Sequence, residues 1–188
     1  MERYLWEENL KNIDIFFDKS EKLRKGYLGS LDKADANFKE KWLRQFGYIS
    51  TFFDEIYSVC NGTRLDVTEQ TFFDFLPGYR LMQVDEIIEK CKYEFKNNLK
   101  YDNIIPFLTD YSSCYYAYTK REDKECIVLI SNEGIETIHS NIDNFWKTII
   151  AFYDEGVYFL DDEGYLSYDF ELEGKIGKKY NVGIAYWG

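Results

Sequence analysis

Residues 104–138 read IIPFLTDYSSCYYAYTKREDKECIVLISNEGIETI, and the period of their apolar positions decides the fold. The runs 104–108, 113–119, 126–131 and 136–138 are rich in β-branched and aromatic residues, the composition of strands. Polar turns at 120–125 and at Asn132-Glu133-Gly134 separate them, so the pattern is an antiparallel meander. If the first turn pairs Thr119 with Cys126, then Cys114, Tyr116, Tyr118, Ile127 and Leu129 share one face. Tyr115, Ala117, Cys126, Val128 and Ile130 share the other. Both faces are apolar, so helices are expected over one and a further cover, such as a partner, over part of the other.

Working outward, the period changes to that of helices on both sides. Val84, Ile87, Ile88, Cys91 and Phe95 form one stripe, with Asp85 and Glu86 in the first turn, where the helix dipole favours acids. Ile142, Phe145, Trp146, Ile149, Phe152 and Tyr153 form another, capped at Ser140 or Asn141 and closed at Gly156. Further upstream, Phe38 to Cys60 reads as helix with a break at Gly47, stopping at Asn61-Gly62. Leu5, Trp6, Leu10, Ile13, Phe16 and Phe17, followed by the interruption Gly26 to Ser30, predict two packed helices with a loop. Pro77-Gly78-Tyr79-Arg80 predicts a turn with Gly78 at positive φ. Residues 157–160 and 165–172 predict a hairpin across Asp161-Asp162-Glu163-Gly164. The expected fold class is α+β, one domain with a mainly antiparallel twisted sheet flanked by helices.

A chain of 188 residues with 45% hydrophobic and 19% aromatic side chains suits one compact domain. Its 23 basic and 34 acidic residues give a net charge of −11, which disfavours a phosphate backbone or an anionic membrane as partner. The excess is local. Residues 122–173 hold 14 acids against Lys124 and Lys147, a charge of −12 over 52 positions, while residues 1–121 sum to −2 and 174–188 to +3. One-sign segments of this size are docking or solubilising faces. No run of about 18 apolar residues is present and the start lacks a signal-peptide pattern, so a cytoplasmic location is expected.

The usual chemical motifs are missing. Cys60, Cys91, Cys114 and Cys126 are 31, 23 and 12 residues apart, too far for a close-paired zinc or redox motif, and free, mostly buried thiols are expected. His139 is the one imidazole and reads as a residue ending a strand before a helix. Gly26 and Gly29 lack the sequel of a phosphate loop. Aligning the acidic turn to a calcium loop puts Phe159 where the first carboxylate belongs. Paired carboxylates for glycoside hydrolysis have no defined separation here. The tyrosine-rich stretch 111–118 resembles a base-stacking platform but has acidic surroundings, which favours core or interface roles.

Several blocks resemble the SMI1/KNR4 family, also called the SUKH superfamily. The stretch Phe52-Phe53-Asp54-Glu55-Ile56-Tyr57-Ser58-Val59-Cys60-Asn61-Gly62 is similar to the family's opening helix, which ends in Asn-Gly. It is followed in order by Leu76-Pro77-Gly78-Tyr79-Arg80-Leu81 with Val84-Asp85-Glu86-Ile87-Ile88. Next come Ile104-Ile105-Pro106-Phe107-Leu108 with Asp110, the strands 114–118 and 127–130, and the helix around Phe145-Trp146. The likeness spans residues 38–160. It leaves 1–35 as a helical N-terminal extension and 161–188 as a C-terminal hairpin and tail, and the Leu-Pro pair frequent before the family's first helix is missing before Tyr48.

The resemblance implies a non-enzymatic immunity protein that binds and neutralises a cognate polymorphic toxin, a cationic nuclease, by occluding its active site. No catalytic residue, cofactor or metal is then expected, and no direct nucleic-acid or membrane partner. The acids Asp154, Glu155, Asp161, Asp162, Glu163, Asp169 and Glu171 would meet the basic toxin, with Tyr116 and Tyr118 supplying contact area. An intracellular regulatory or scaffold protein of the same type is the alternative, and an acidic hydrolase a second one.

Overall fold

The computed structural model of the chain describes residues 11–188 other than Asn97, Tyr111 and Glu122. It is an α+β domain with six α-helices among the described residues. The elements are α1 (Asn12–Leu23), β1 (Leu31–Lys33), α2 (Phe38–Phe46), α3 (Thr51–Tyr57), β2 (Cys60–Thr63), β3 (Arg80–Leu81), α4 (Val84–Lys90) and β4 (Ile104–Thr109). There follow β5 (Tyr115–Arg121), β6 (Lys124–Ser131), β7 (Gly134–His139), α5 (Ile142–Asp154), β8 (Tyr158–Leu160), β9 (Leu166–Tyr168) and α6 (Phe170–Tyr180). Strands β3 to β7 lie in chain order in one antiparallel sheet, and β1–β2 and β8–β9 are separate two-stranded ribbons.

The meander forms with the expected register. Thr119 pairs with Cys126, Tyr118 with Ile127 and Tyr116 with Leu129. The face bearing Tyr118 and Ile127 receives the helices. Phe52 of α3 meets Phe107 edge-on at 5.0 Å and Phe145 of α5 at 5.7 Å, and Phe53 meets Tyr118 at 5.1 Å. Such aromatic contacts add to the burial of their large apolar area. Part of the opposite face is covered by the chain itself. Helix α4 continues into a π-helical turn, Cys91–Phe95, which swings Phe95 under the sheet to join Ile104, Ala117, Val128 and Ile130 and to stack on Tyr101 at 4.3 Å.

Several local expectations are met. Helix α5 is capped by the Asn141 side chain, which accepts from Asn144 N at 2.7 Å, and ends at Gly156 with φ +72°. The break at Gly47, φ +76°, separates α2 from α3. Pro77 and Gly78 form a type II turn: Tyr79 N donates to Leu76 O at 2.8 Å and Gly78 has φ +77°. Open space surrounds its missing Cβ, so the cost of Gly78→Val is backbone strain alone. It should lower stability by about 1–3 kcal/mol, and chemical denaturation with an unchanged transition slope would measure it.

Other expectations are corrected. The helix before Asn61-Gly62 ends at Tyr57, and these two residues belong to β2. Leu31-Asp32-Lys33, within the N-terminal third read as helical, is a strand that pairs with β2. The two-helix reading of the N-terminal region becomes one helix, α1, followed by a 3-10 turn at Tyr27–Ser30; Leu5, Trp6 and Leu10 lie outside the described residues. Helix α1 is no appendage, since Ile13 and Phe16 are fully buried and Phe16 stacks on Phe75 at 4.2 Å. The strand read over 165–172 is only Leu166–Tyr168, and the tail beyond it is helix α6 closed by a 3-10 turn, Ala185–Trp187. Asp169 accepts from Leu172 N at 2.9 Å to start that helix, with Glu171 and Glu173 in the first turn and Lys178 and Lys179 in the last, the order the helix dipole favours.

The tail is locked rather than loose. Trp187 Nε1 donates to Ile138 O at 2.6 Å, fastening the chain end to β7. Its ring lies flat against Gly177, where a Cβ would stand 2.1 Å from Cε3. Beneath it His139 Nδ1 is 3.0 Å from Asn181 Oδ1, and Asn181 Nδ2 donates to Thr148 Oγ1 at 2.9 Å. Burial holds the His139 imidazole down at about 4, so it is neutral across the physiological range. No disulfide joins the four cysteines; Cys60 and Cys91 are buried, Cys114 and Cys126 half-buried. Among the described residues no helix is long and apolar enough to cross a membrane.

Candidate protein-docking surface

The acidic segment folds into the end of α5, the β8–β9 ribbon and the start of α6. Its acids do different work. Asp154 pairs with Lys19 of α1, and Glu155 with Lys179 of α6 at 3.2 Å. Both are internal ties between helices, already neutralised. Asp161 accepts from Glu163 N at 3.0 Å and Tyr165 N at 2.8 Å, so its carboxylate holds the ribbon's own turn. Asp169 is the cap of α6. Asp162, Glu163 and Glu171 are exposed, and no ion pair with them occurs among the described residues. Three of the seven acids are thus left as uncompensated charge.

The two tyrosines also part. Tyr118 is fully buried, and its hydroxyl donates to Glu125 Oε1 at 2.7 Å. It belongs to the core and offers no contact area, because Phe52 and Phe53 of α3 cover that end of the sheet. Tyr116, two residues back on the same face, is half-buried beyond the helices and meets Tyr79 edge-on at 4.8 Å.

Around Tyr116 lies a cluster that the sequence did not announce. Tyr158 and Tyr168 pair across the β8–β9 ribbon, and Tyr186 comes from the C-terminal turn. Burial raises the hydroxyls of Tyr116, Tyr158, Tyr168 and Tyr186 above their ordinary value, and the negative charge of Glu173 raises each further. Glu173 thus interacts electrostatically with all four tyrosines and shares a groove with Tyr186. Burial pushes its carboxyl from 4.5 up to about 7, and no hydrogen bond or ion pair to it occurs among the described residues. Phe170, one turn earlier on α6, is 76% exposed, and Tyr168 and Tyr186 are about 40% exposed. Phe170 and Tyr186, with Glu171, Glu173, Lys175, Lys178 and Trp187, line an open groove of about 640 Å³ beside α6.

The signal for this surface was a helical period in 170–180, hidden because the inward stripe of α6 carries Glu173 and Gly177 where apolar residues are expected. Exposed aromatic area rimmed by unpaired acids has the anatomy of a protein-binding patch, with contact area at the centre and charge at the edge. A second raised carboxyl, Glu55 of α3, is half-buried and accepts from Ile13 N at 3.2 Å, so it caps α1. Among the described residues no group of three or more His, Cys, Asp or Glu is placed to hold a metal ion.

Glu173 and His139 make opposite demands on stability as pH changes. The folded carboxyl titrates near 7 and the unfolded one near 4.5, so its contribution is full below 4.5 and lost as pH rises through 7. The folded imidazole titrates near 4 and the unfolded one near 6.5, so its contribution is full above 6.5 and lost as pH falls through 4. Between 4.5 and 6.5 the two oppose each other. Glu173→Gln should raise stability at pH 7.5 by about 1–3 kcal/mol and leave the acid loss from His139 uncompensated. Thermal melts at pH 7.5, 6.5 and 5.5 would show this as a melting temperature that falls more steeply with acid than that of the wild type.

No protein-family model matches the chain, and no curated protein matches it.

Proposed function

We propose that the chain is a non-enzymatic immunity protein of the SMI1/KNR4 type, which binds a cationic protein toxin, a nuclease, and blocks its active site. The observation that supports this reading is the groove that Glu171 shares with the exposed rings of Phe170 and Tyr186, with the exposed acids Asp162 and Glu163 at the turn of the neighbouring β8–β9 ribbon. A nuclease gathers positive charge around its substrate channel to hold phosphates. An acidic, aromatic surface offers that channel steering charge and desolvated contact area at once. Neutralisation then proceeds by occlusion, with no bond made or broken by this chain, and takes place in the cytoplasm where the toxin would act.

The intracellular scaffold reading uses the same surface for a different basic protein, and the neighbouring gene separates the two. The chain is co-expressed with the product of the gene immediately upstream. A stoichiometric complex that abolishes that product's nuclease activity and protects the cells supports the immunity reading. Active, unbound product and unprotected cells overturn it.

A further inference from the structure

Helix α6 has a stripe that turns inward, and Glu173 stands on it. At about 100° per residue, Phe170, Ile176 and Gly177 lie within about 60° of Glu173 around the helix axis. Ile176 and Gly177 are buried, and Gly177 touches Trp187. Lys175 and Lys178 border the same groove but stand about 200° and 140° around the axis from Glu173, so neither shares its face. A half-buried carboxylate at the edge of that stripe with no cation beside it is a cost to the fold. A leucine or glutamine there would remove that cost.

We propose that Glu173 is the receptor for an arginine side chain of the protein partner, which enters the groove between Phe170 and Tyr186 and pairs with the carboxylate among the tyrosine rings. This rests on the binding-protein reading above and names the contact within it. Three features fit arginine. The site holds one unpaired carboxylate, which a guanidinium meets with two parallel hydrogen bonds. Its walls are aromatic, and a guanidinium stacks on such faces and sheds water more readily than an ammonium. The exposed rim acids, Asp162, Glu163 and Glu171, raise the local concentration of a basic partner before the contact forms. The partner's charge then removes the penalty that the free protein carries, so the site is built to be completed from outside. The titratable groups whose charge interacts with that of Glu173 are Tyr116 from the sheet, Tyr158 and Tyr168 from the ribbon, and Tyr186 from the tail, which Glu136 of β7 also approaches. Each tyrosine stays protonated at neutral pH, and Glu173 alone among them changes charge there.

The test uses the full chain and a blocked Gly-Arg-Arg-Gly peptide, followed through the NMR signals of Tyr168, Tyr186 and the Trp187 indole at pH 7.5. Saturable shifts confined to these residues are expected, absent with the citrulline analogue, lost in Glu173→Gln and kept in Glu89→Gln, an exposed acid on α4. Shifts that persist in Glu173→Gln, that the citrulline peptide reproduces, or that never appear would overturn the proposal. A second measurement separates it from the broader reading. In the complex with the upstream gene's product, Glu173→Gln should speed dissociation by tenfold or more with little change in association. Unchanged dissociation, in a complex that still forms and protects, would sink the arginine site and leave the immunity reading standing. Failure of the wild type to form that complex would count against the immunity reading while the peptide arm still decides the site.

Discussion

Gly62→Ala should lower stability by about 3–5 kcal/mol. Gly62 has φ +84°, and a Cβ built on it would lie 2.5 Å from Met82 O, 2.7 Å from Met82 C and 2.9 Å from Gln83 N. All three are backbone atoms, so no side chain can swing away to make room. The Met82–Gln83 backbone is pinned from several sides. Tyr57 donates its hydroxyl to Met82 O at 2.8 Å, Met82 N donates to Phe107 O at 2.8 Å, and Val84 N donates to Asn61 Oδ1 at 3.2 Å. Asn61-Gly62 is thus the joint at which α3, β2 and the start of α4 meet. The strained φ costs about 1–3 kcal/mol and overpacking a pinned site a similar amount. For a chain of this size the melting temperature should fall by roughly 6–20 °C. Gly174→Ala is the control: it has an ordinary φ, open space around its missing Cβ and a place inside α6, so it should gain up to about 1 kcal/mol. A Gly62→Ala protein that melts like the wild type would show that the close approach can relax.

Reversing Asp162, Glu163 and Glu171 together to lysine should slow association with a basic protein partner by at least about tenfold at low salt. Six units of charge change across the ribbon turn and the start of α6. Exposed charges of this kind act on capture more than on the formed complex. The effect should shrink as the Debye length falls from about 10 Å at 0.1 M salt to about 3 Å at 1 M. Asp161 is left in place because its carboxylate holds the β8–β9 turn, and Asp154 and Glu155 because they tie α5 to Lys19 and Lys179. Folding should stay intact, since exposed charges contribute little to the core. Stopped-flow rates at two salt concentrations measure it, and equal on-rates for mutant and wild type would move the contact to another face.

The parts of the fold that were legible in sequence are those where one period dominates a long window. Helix α5 and the meander satisfy this: the pairing of Thr119 with Cys126 entered as a premise and holds, while the turn read over 120–125 is shorter, since β5 runs to Arg121 and β6 starts at Lys124. Asn61-Gly62 misled because a positive φ serves a helix end and a close backbone approach equally well, and only the partner backbone distinguishes them. Helix α6 was hidden for a related reason: its buried face is made by Gly177 receiving an indole and by a carboxylate, neither of which registers as apolar. Alternation put Tyr116 and Tyr118 correctly on one face, but their fates diverge with the reach of Phe52 and Phe53, a tertiary fact. The acidic segment was visible as composition. The division of its acids into ties, caps and free charge depends on Lys19, Lys179 and local backbone amides, which sequence does not place.

Hydrogen–deuterium exchange of the chain, free and bound to the upstream gene's product, tests the docking surface most directly. Binding at the groove predicts added protection in the β8–β9 ribbon, the first two turns of α6 and the C-terminal turn Ala185–Trp187, with the β1–β2 ribbon and α4 exchanging as in the free protein. Protection confined to β1, β2 or α4, with the ribbon and α6 unchanged, would contradict it.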